Sequence, residues 1–347
     1  MIILSIDTSC DDTCISILKI EKKKIKVLSN IISSQIDIHR KYGGVYPSLA
    51  KREHEKNLVP VLKQALQEAK KKEKFAKPDL IAVTIGPGLE PCLWVGLNFA
   101  KSLSFMWSIR LIPVNHIEGH ILANFINGNA NLKFPVICSV VSGGHTQIIL
   151  MKKIKDYEII GETRDDAAGE CFDKTARILG LAYPGGPSIE KQIKKYPISV
   201  PKFQIKLPRP MMYSKDYDFS FSGLKTAVLY DYKKRNKKIR TSKKYISEMA
   251  KEIQQSIIDV LIKKTIKAAK DYKVKTIILG GGVAANQELK KQFKKKIEKE
   301  IPKCFFSAPN SRSCTDNAAM IGIVGYFNKN KAIKNPQKIK VNSNLRI

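Results

Sequence analysis

Residues 2–20, IILSIDTSCDDTCISILKI, place a polar turn between two apolar segments. Isoleucine-rich runs bounded by Asp, Thr and Ser are typical of buried β-strands joined by a tight turn. The pattern predicts strands at residues 2–6 and 13–20, a turn at residues 7–12 and a third strand at residues 25–32. The N-terminal segment is therefore expected to form three antiparallel strands.

The same plan recurs later in the chain. Residues 135–151, PVICSVVSGGHTQIILM, hold a strand at 135–141, a turn at Ser142-Gly143-Gly144 and a second strand, and a third strand follows at 157–162. Helical and strand patterns then alternate in each half, which predicts a duplicated α/β fold. The actin/Hsp70/sugar-kinase superfamily, which is ribonuclease H-like, has this plan, with two lobes and a cleft between them.

The alternating patterns set the expected domain bounds. In the first half they predict helices at 48–71 and 92–106 and strands at 80–85 and 111–114. In the second half they predict helices at 168–179, 242–272 and 316–327, a helix from Ala284, and strands at 276–279 and 304–307. The expected domains are an N-terminal actin-like lobe at 1–115, a C-terminal actin-like lobe at 116–327 and a peripheral tail at 328–347. Prolines in residues 183–222 predict an ordered insertion over the cleft.

The chain carries 62 Lys and Arg against 31 Asp and Glu, a net charge of +31. Such a charge favours a polyanionic partner, because clustered Lys and Arg release counterions from phosphate backbones. The clusters lie at residues 70–74, 232–244 and 290–299. The alternative is compositional, since Lys and Ile are abundant throughout, as in proteins from AT-rich genomes, and Lys runs on helices are usually solvated faces.

Three further features bear on the cellular compartment. No segment approaches the roughly 18 apolar residues that span a bilayer. The N-terminus has no basic leader, and Asp7, Asp11 and Asp12 stand where a signal peptide would be apolar, so we expect a cytoplasmic protein. The seven cysteines are odd in number and form no C-x-x-C pair, which argues against a disulfide framework and a zinc knuckle.

The segment Asn115-His116-Ile117-Glu118-Gly119-His120 places two histidines four residues apart after a predicted strand. On a helix these positions share a face, so both imidazoles could reach one metal ion. A zinc-protease helix needs Glu directly after the first His, whereas Glu118 comes one residue later and is turned about 100° around the helix. The spacing favours a metal site over peptide hydrolysis, with two chance surface histidines as the alternative.

Glycine-rich and polar turns mark candidate ligand sites. Asp7-Thr8-Ser9 lies in the first hairpin turn, and Ser142-Gly143-Gly144-His145-Thr146 lies in the equivalent turn of the second half. Two such turns facing each other across a cleft would clamp a phosphate. Gly280-Gly281-Gly282-Val283-Ala284-Ala285-Asn286 follows a strand and opens a helix, without the Lys-Ser/Thr of a Walker A loop. Ordinary turn formation is the alternative for each of them.

Acidic residues begin two of the predicted helices. One predicted helix begins within Asp165-Asp166-Ala167-Ala168-Gly169-Glu170-Cys171-Phe172-Asp173-Lys174. N-capping and the helix dipole favour acidic residues at the start of this helix. Asp173 is one turn further in, which argues for a role other than capping. Asp316 opens the last predicted helix either as a simple cap or as a third metal ligand beside the histidine pair.

Nine blocks together carry a family resemblance over nearly the whole chain. They are DTSCDDT, YGGVYPSLAKREH, GPGLEPCLWVG, NHIEGH, SGGHTQII, DDAAGECFDKTARILGLAYPGGP, DFSFSGLKTAV, GGGVAAN and CTDNAAMIG. In this order they resemble the catalytic subunit of bacterial tRNA N6-adenosine threonylcarbamoyltransferase, the TsaD family. SGGHT and GECFDKTAR resemble the bacterial branch of that family. The block GLEPCLW differs from the sequence that is common in the bacterial branch, but the difference affects no ligand position.

The resemblance implies transfer of a threonylcarbamoyl group from L-threonylcarbamoyladenylate to N6 of adenosine 37, in tRNAs that read codons beginning with A, with release of AMP. It implies one Fe²⁺ or Zn²⁺ ion per subunit held by His116, His120 and Asp316. It assigns the adenylate to Ser142, Gly143, Gly144, His145, Thr146, Asp173, Gly186 and Asn286. It also implies a paralogous dimer partner, TsaB, and a small ATPase, TsaE. No covalent nucleophile is evident, which favours direct attack by the adenine amine.

Three other functions compete with this interpretation. A metallopeptidase acting on glycoproteins, an older label for the family, is disfavoured by the position of Glu118. An ATP-dependent small-molecule kinase of the same superfamily is compatible with the fold. A non-catalytic tRNA-binding or assembly subunit is compatible with the charge, and it would keep its function after loss of His116 or His120.

Overall fold

The computed structural model describes residues 1–22, 24–126 and 132–347, and for Ser311 and Arg312 the backbone only. The chain divides into two compact units, Met1–Ala130 with Thr315–Ile347, and Asn131–Cys314. Each unit is built around a five-stranded sheet. No helix in the described residues combines the length and the apolar character needed to cross a membrane.

The first unit has a mixed sheet of order β3-β2-β1-β4-β5, in which β1 to β3 are antiparallel and β4 and β5 run parallel to β1. Its strands are β1 (Ile2–Asp7), β2 (Asp12–Glu21), β3 (Lys24–Ser34), β4 (Leu80–Gly86) and β5 (Arg110–Asn115). Its helices are α1 (Ile36–His39), α2 (Pro47–Lys72), α3 (Glu90–Trp107), α4 (His116–Leu122) and, from the end of the chain, α12 (Ala318–Phe327). The strands predicted at 2–6, 13–20 and 25–32 are thus confirmed.

The second unit repeats this topology with the order β10-β9-β6-β7-β8. Its strands are β6 (Val136–Val141), β7 (Thr146–Lys153), β8 (Asp156–Glu162), β9 (Thr276–Gly280) and β10 (Phe305–Ser307). Its helices are α5 (Ala168–Ile178), α6 (Gly185–Lys195), α7 (Ser222–Lys234), α8 (Lys237–Arg240), α9 (Lys243–Asp271), α10 (Gln287–Glu300) and α11 (Ser311–Cys314). The shared strand order confirms a duplicated actin-like α/β fold.

In both units the central strand is buried and helices enclose the core. Every residue of β1 and of β6 is buried, as expected for central strands that are covered on both faces. α9 buries Tyr245, Ile253, Ile257 and Leu261 along one side, so the long helix closes the second core. α12 buries residues all around its circumference, which is typical of a helix enclosed by other elements rather than of a surface helix.

The bounds of the two units differ from the expected domains in three ways. The first unit runs to Ala130 rather than to residue 115, so α4 with both histidines belongs to it. α12 and the segment after it belong to the first unit, because the apolar α12 packs on β1, β2 and β4. The expected peripheral tail is attached along its length: Ile333 pairs with Leu111 through two backbone hydrogen bonds of 2.9 and 3.0 Å, and Asn342 donates to the Ile85 carbonyl at 2.8 Å. The second unit accordingly ends at Cys314 rather than at residue 327.

Residues 183–222 contain α6 followed by an irregular segment with many hydrogen bonds to helix α9. The Glu248 carboxylate accepts backbone N–H groups from Lys202, Phe203 and Ile205. The fully buried Lys264 donates to Ser214 Oγ at 2.5 Å and to the backbone carbonyl of Asp216 at 2.9 Å. These contacts hold the segment against α9.

Candidate functional site

The histidine pair lies at the junction of β5 and α4. Asn115 caps α4, because its side-chain oxygen accepts the N–H groups of Ile117 and Glu118 at 2.8 and 3.3 Å. Every residue of α4 is buried. The rings of His116 and His120 lie on one face with their centroids 4.6 Å apart, as the spacing of four predicted.

Asp316 joins this pair from just before α12. The cap of α12 is Asn317, whose side chain accepts from the N–H of Met320 at 3.2 Å, so Asp316 is not needed as a cap. Its Oδ1 lies 3.4 Å from His116 Nε2 and 3.3 Å from His120 Nε2. The three candidate ligand atoms all lie within 4.8 Å of one another. The structure therefore brings together the three residues predicted as metal ligands.

A second layer of polar groups orients His116. The Nδ1 atom of this ring lies 3.1 Å from Asp7 Oδ2 and 3.2 Å from Ser9 Oγ. A carboxylate on the far nitrogen of a ligating imidazole fixes the ring and raises its basicity. The sequence indicated only that Asp7 and Ser9 sit in a turn that faces a ligand, and their contact with His116 is visible only in the structure.

The protonation states follow from burial and neighbouring charge. Burial opposes protonation of His116, but the Asp7 and Asp316 carboxylates outweigh it and raise the pKa to about 10. Burial and the nearby His116 lower the pKa of His120. Although burial acts to raise the pKa of Asp316, the interaction with His116 lowers it well below its usual range. The neighbouring carboxylates therefore favour a proton on His116, which a bound metal ion would displace from the ring.

The donor set fits a borderline divalent metal such as Zn²⁺ or Fe²⁺. Two imidazoles and one carboxylate are ligands that both ions accept. His120 is fully buried, and within the described part of the chain neither of its ring nitrogens makes a well-formed hydrogen bond. Glu118 instead contacts Asn328, whose Nδ2 lies 3.3 Å from its Oε2. The Glu118 carboxylate, which is displaced from the position of a zinc-protease glutamate, is therefore in contact with Asn328.

Two groups of the predicted substrate residues, Ser142–Thr146 and Asn286, follow the carboxyl ends of β6 and β9. These parallel strands pair Val140 with Gly280, so the turns that follow them are neighbours. Gly281 has φ +89°, and a side chain there would collide with the backbone of Val141. By contrast, a Cβ added at Gly143, Gly144 or Gly282 would meet no atom within 4 Å. These three glycines leave bare backbone beside open space.

The turn after β6 is fixed from both of its ends. The His145 N–H donates to Ser142 Oγ at 3.1 Å, and the Ser142 N–H donates to the His145 carbonyl at 2.8 Å. Thr146 Oγ1 accepts the N–H of Ala168 at 2.9 Å, which ties the turn to the start of α5. The turn is thus held rigidly while its two glycines remain uncovered.

Asp173 contacts the start of α6, the helix that holds Gly186. Asp173 Oδ1 accepts the N–H of Gly185, the first residue of α6, at 2.6 Å. The position of Asp173 within α5 argued for a role other than capping. The structure shows that Asp173 caps a neighbouring helix, α6. The nearest atom to a Cβ on Gly186 is in the Phe172 ring, 4.0 Å away. Asp165 similarly serves another helix, since its carboxylate accepts the N–H groups of Phe221 and Ser222 at the start of α7.

Asn286 has structural partners on both sides. Its Oδ1 caps α10 by accepting the N–H of Leu289 at 2.9 Å, and its Nδ2 donates to Gln254 Oε1 at 2.8 Å. It is buried rather than exposed at the surface. The second unit therefore groups the turn from Ser142 to Thr146 with the turn before Asn286, and it places Asp173 at the start of α6.

The chain matches one protein family over most of its length. The family model described as tRNA N6-adenosine threonylcarbamoyltransferase, TsaD, matches residues 26–323. The curated protein of that name from Thermosipho africanus is 49% identical over 347 residues, which is 100% of both chains. The one from Syntrophomonas wolfei is 45% identical over 326 residues, covering 94% of this chain and 92% of the relative.

Solved structures of lower identity share the fold. HypF from T. kodakarensis has a TM-score of 0.58 at 12% identity, covering 94% of this chain and 48% of its own. Full-length HypF in its phosphate- and nucleotide-bound form has a TM-score of 0.56 at 14% identity, covering 95% of this chain and 55% of its own. The chain therefore belongs to the tRNA N6-adenosine threonylcarbamoyltransferase family and is a transferase of tRNA modification.

Proposed function

We propose that the chain transfers the threonylcarbamoyl group of L-threonylcarbamoyladenylate to N6 of adenosine 37, in tRNAs that read codons beginning with A. The adenine amine attacks the carbamoyl carbon and forms the new C–N bond. The C–O bond to the phosphate breaks, AMP leaves with the electron pair, and the amine gives up a proton. The observation that carries this proposal is the match of the whole chain to curated transferases of this name.

The site in the first unit supports a metal-dependent reaction. His116, His120 and Asp316 would hold one Fe²⁺ or Zn²⁺ ion, with Asp7 and Ser9 fixing the His116 ring. Such an ion supplies Lewis-acid polarisation of the carbamoyl or phosphate oxygens. Burial of both histidines keeps water away from their ring nitrogens.

The turns in the second unit support binding of the adenylate. Bare backbone at Gly143, Gly144 and Gly282 permits close approach of a phosphate or ribose. Asp173 and Asn286 are held in place by the helix starts that they cap. We assign the adenylate to these residues together with Ser142, His145, Thr146 and Gly186.

Nucleoside mass spectrometry of tRNA tests the proposed activity. Depletion of the protein in its native cell should abolish N6-threonylcarbamoyladenosine, and complementation with the wild-type chain should restore it. A binding or assembly subunit predicts full rescue by the His116→Ala variant, whereas the transferase predicts none. Unchanged N6-threonylcarbamoyladenosine after depletion would reject the proposal, and phosphorylation of a small molecule by the purified chain would point to a kinase.

The proposal extends to partners and compartment. A transferase of this kind needs the adenylate from a separate synthase, and we propose a TsaB-like paralogue and a TsaE-like ATPase as partners in the cytoplasm. Co-purification from the native cytoplasmic fraction, followed by activity measurement with and without each partner, tests whether they are needed.

Asp173 offers a test of adenylate binding that separates its two roles. Asp173→Ala should weaken binding of a non-hydrolysable adenylate analogue at least about 10-fold and should also uncap α6, at a cost of about 1 kcal/mol. Asp173→Asn keeps an acceptor for the Gly185 N–H and should restore helix stability. Calorimetry with the analogue and with tRNA measures the two binding affinities of each variant. Intact analogue affinity with lost tRNA affinity would contradict the placement of the adenylate.

A basic surface of the second unit fits tRNA phosphates. Residues 232–244 contain eight cationic side chains and no acidic one: Lys233, Lys234, Arg235, Lys237, Lys238, Arg240, Lys243 and Lys244. Within the described residues, Arg235 alone among these has a carboxylate within ion-pair distance, that of Asp231 at 3.0 Å. Lys243 and Lys195 lie 5.3 and 5.5 Å from the Tyr196 ring centre, which joins the end of α6 to this surface. On α10, by comparison, Lys294 and Lys296 pair with acidic neighbours.

Changing Lys233, Lys234, Lys237 and Lys238 to Gln should weaken tRNA binding and flatten its salt dependence. Each lost phosphate contact removes roughly 0.7 to 0.9 from the log-log slope, so four contacts remove about 3. Filter binding at several salt concentrations measures this. The matched control changes Lys291, Lys294, Lys295 and Lys299 on α10, which removes the same charge. Equal effects of both variants would show that net charge, not this surface, attracts tRNA.

A further inference from the structure

The end of the chain runs behind the metal-binding junction. Asn342 donates its N–H to the carbonyl of Ile85, and Ser343 accepts the N–H of Gly88 at 3.2 Å. The Leu345 carbonyl accepts from Asn115 Nδ2 at 3.4 Å. Residues 342–345, called here the C-terminal clasp, therefore contact both the loop after β4 and the residue that caps α4.

The loop after β4 fits the clasp closely. Gly86 has φ +152°, and any side chain there would collide with the backbone carbonyl of Asn342. On its other side the same loop contacts the turn after β1, since the Leu89 N–H donates to the Ser9 carbonyl at 2.8 Å. Ser9 in turn places its Oγ 3.2 Å from His116 Nδ1. The clasp is thus linked to His116 through Gly86–Leu89 and Ser9.

A second link runs through Asn115. The side chain of this residue uses its oxygen to cap α4 and its amide NH₂ to reach Leu345, so one rigid group connects the clasp to the helix that carries both histidines. We infer that the C-terminal clasp is a positioning element of the metal site, which sets the direction of the His116 ring and thereby the affinity for the ion. This inference rests on the proposed metal site.

Removal of residues 342–347 tests the clasp. We expect the shortened chain to bind Zn²⁺ at least about 10-fold more weakly in a chelator competition, since loss of outer-shell support costs about 10- to 100-fold in affinity. The absorption bands of bound Co²⁺ should also shift, because ligand geometry changes. The matched control ends at Leu345, where the terminal carboxylate keeps an oxygen that can accept from Asn115 Nδ2. Wild-type Zn²⁺ affinity and Co²⁺ bands in the folded shortened chain would overturn the inference.

Asn115→Ser provides a milder variant of the full-length chain. Serine keeps the helix cap but cannot reach Leu345, so a loss of roughly 2- to 10-fold in Zn²⁺ affinity is expected from one lost hydrogen bond. In the shortened chain the same substitution should have no further effect. Equal losses in both backgrounds would show that Asn115 acts through the cap alone.

Amide hydrogen exchange of the metal-free chain separates the clasp from the metal proposal. The N–H groups of Ile117 and Glu118 should exchange faster in the shortened chain than in the control that ends at Leu345. Unchanged exchange would overturn the clasp, whatever the metal affinity. A wild-type chain that binds no Zn²⁺ but shows this difference would reject the metal site and keep the clasp as a support of α4.

Discussion

The double variant His116→Ala, His120→Ala is expected to lose bound metal and to lower transferase activity more than about 100-fold. Two of three candidate ligands are removed, and loss of a mere outer-shell partner already costs about 10- to 100-fold. Elemental analysis of the purified protein measures the metal, and transfer to unmodified tRNA measures activity. α4 should persist, because alanine has the highest helix propensity and occupies less space than the histidine that it replaces.

A matched control removes a buried histidine outside the ligand group. His54 contacts Thr13 Oγ1 and the Cys10 carbonyl, at 2.8 and 2.9 Å, and is not among the grouped ligands. His54→Gln should keep metal stoichiometry at the wild-type level. Full metal occupancy in the double variant would reject the site, whereas loss in the His54 variant as well would point to general destabilisation.

Gly143→Leu is expected to abolish adenylate binding while leaving stability nearly unchanged. The Cβ at this position meets nothing within 4 Å, so the side chain enters open space rather than the core. That space is where we place the adenylate, and a leucine would occupy it. Calorimetry with an adenylate analogue should show a loss of more than about 100-fold, which corresponds to roughly 2.7 kcal/mol.

Gly223→Leu is the matched control for this substitution. Gly223 is exposed near the start of α7, and the nearest atom to its Cβ is Pro210 Cγ at 3.9 Å. Both variants add the same side chain to a glycine with free space around it. If Gly143→Leu binds the analogue as tightly as Gly223→Leu does, the turn between Ser142 and Thr146 is not part of the adenylate site.

Local patterns predicted most elements because their burial is periodic. The helix expected at 48–71 is Pro47–Lys72, and the one expected at 242–272 is Lys243–Asp271. The histidine pair was visible for the same reason, since a spacing of four fixes a shared helix face. Where the signal lies within one element, sequence and structure agree closely.

Features that depend on distant contacts were not predictable in this way. α6 begins inside PGGP, a sequence that indicates a turn, and its first N–H is accepted by Asp173 from another helix. α7 begins where Asp165, 57 residues earlier than Ser222, accepts its N–H groups. The contact of Asp7 with His116 likewise joins β1 to α4. Nothing in the local sequence marks these partners, because each is supplied by the tertiary fold.

The discontinuity of the first unit affects how the protein is made. Met1–Ala130 leaves the ribosome long before Thr315–Ile347, so the first sheet stays without α12, the apolar helix that packs on β1, β2 and β4. Exposed apolar surface in a nascent chain attracts chaperones and proteases. A prematurely terminated product lacks α12 and Asp316 together. Completion of translation is therefore the event that both closes the first core and supplies the last candidate ligand.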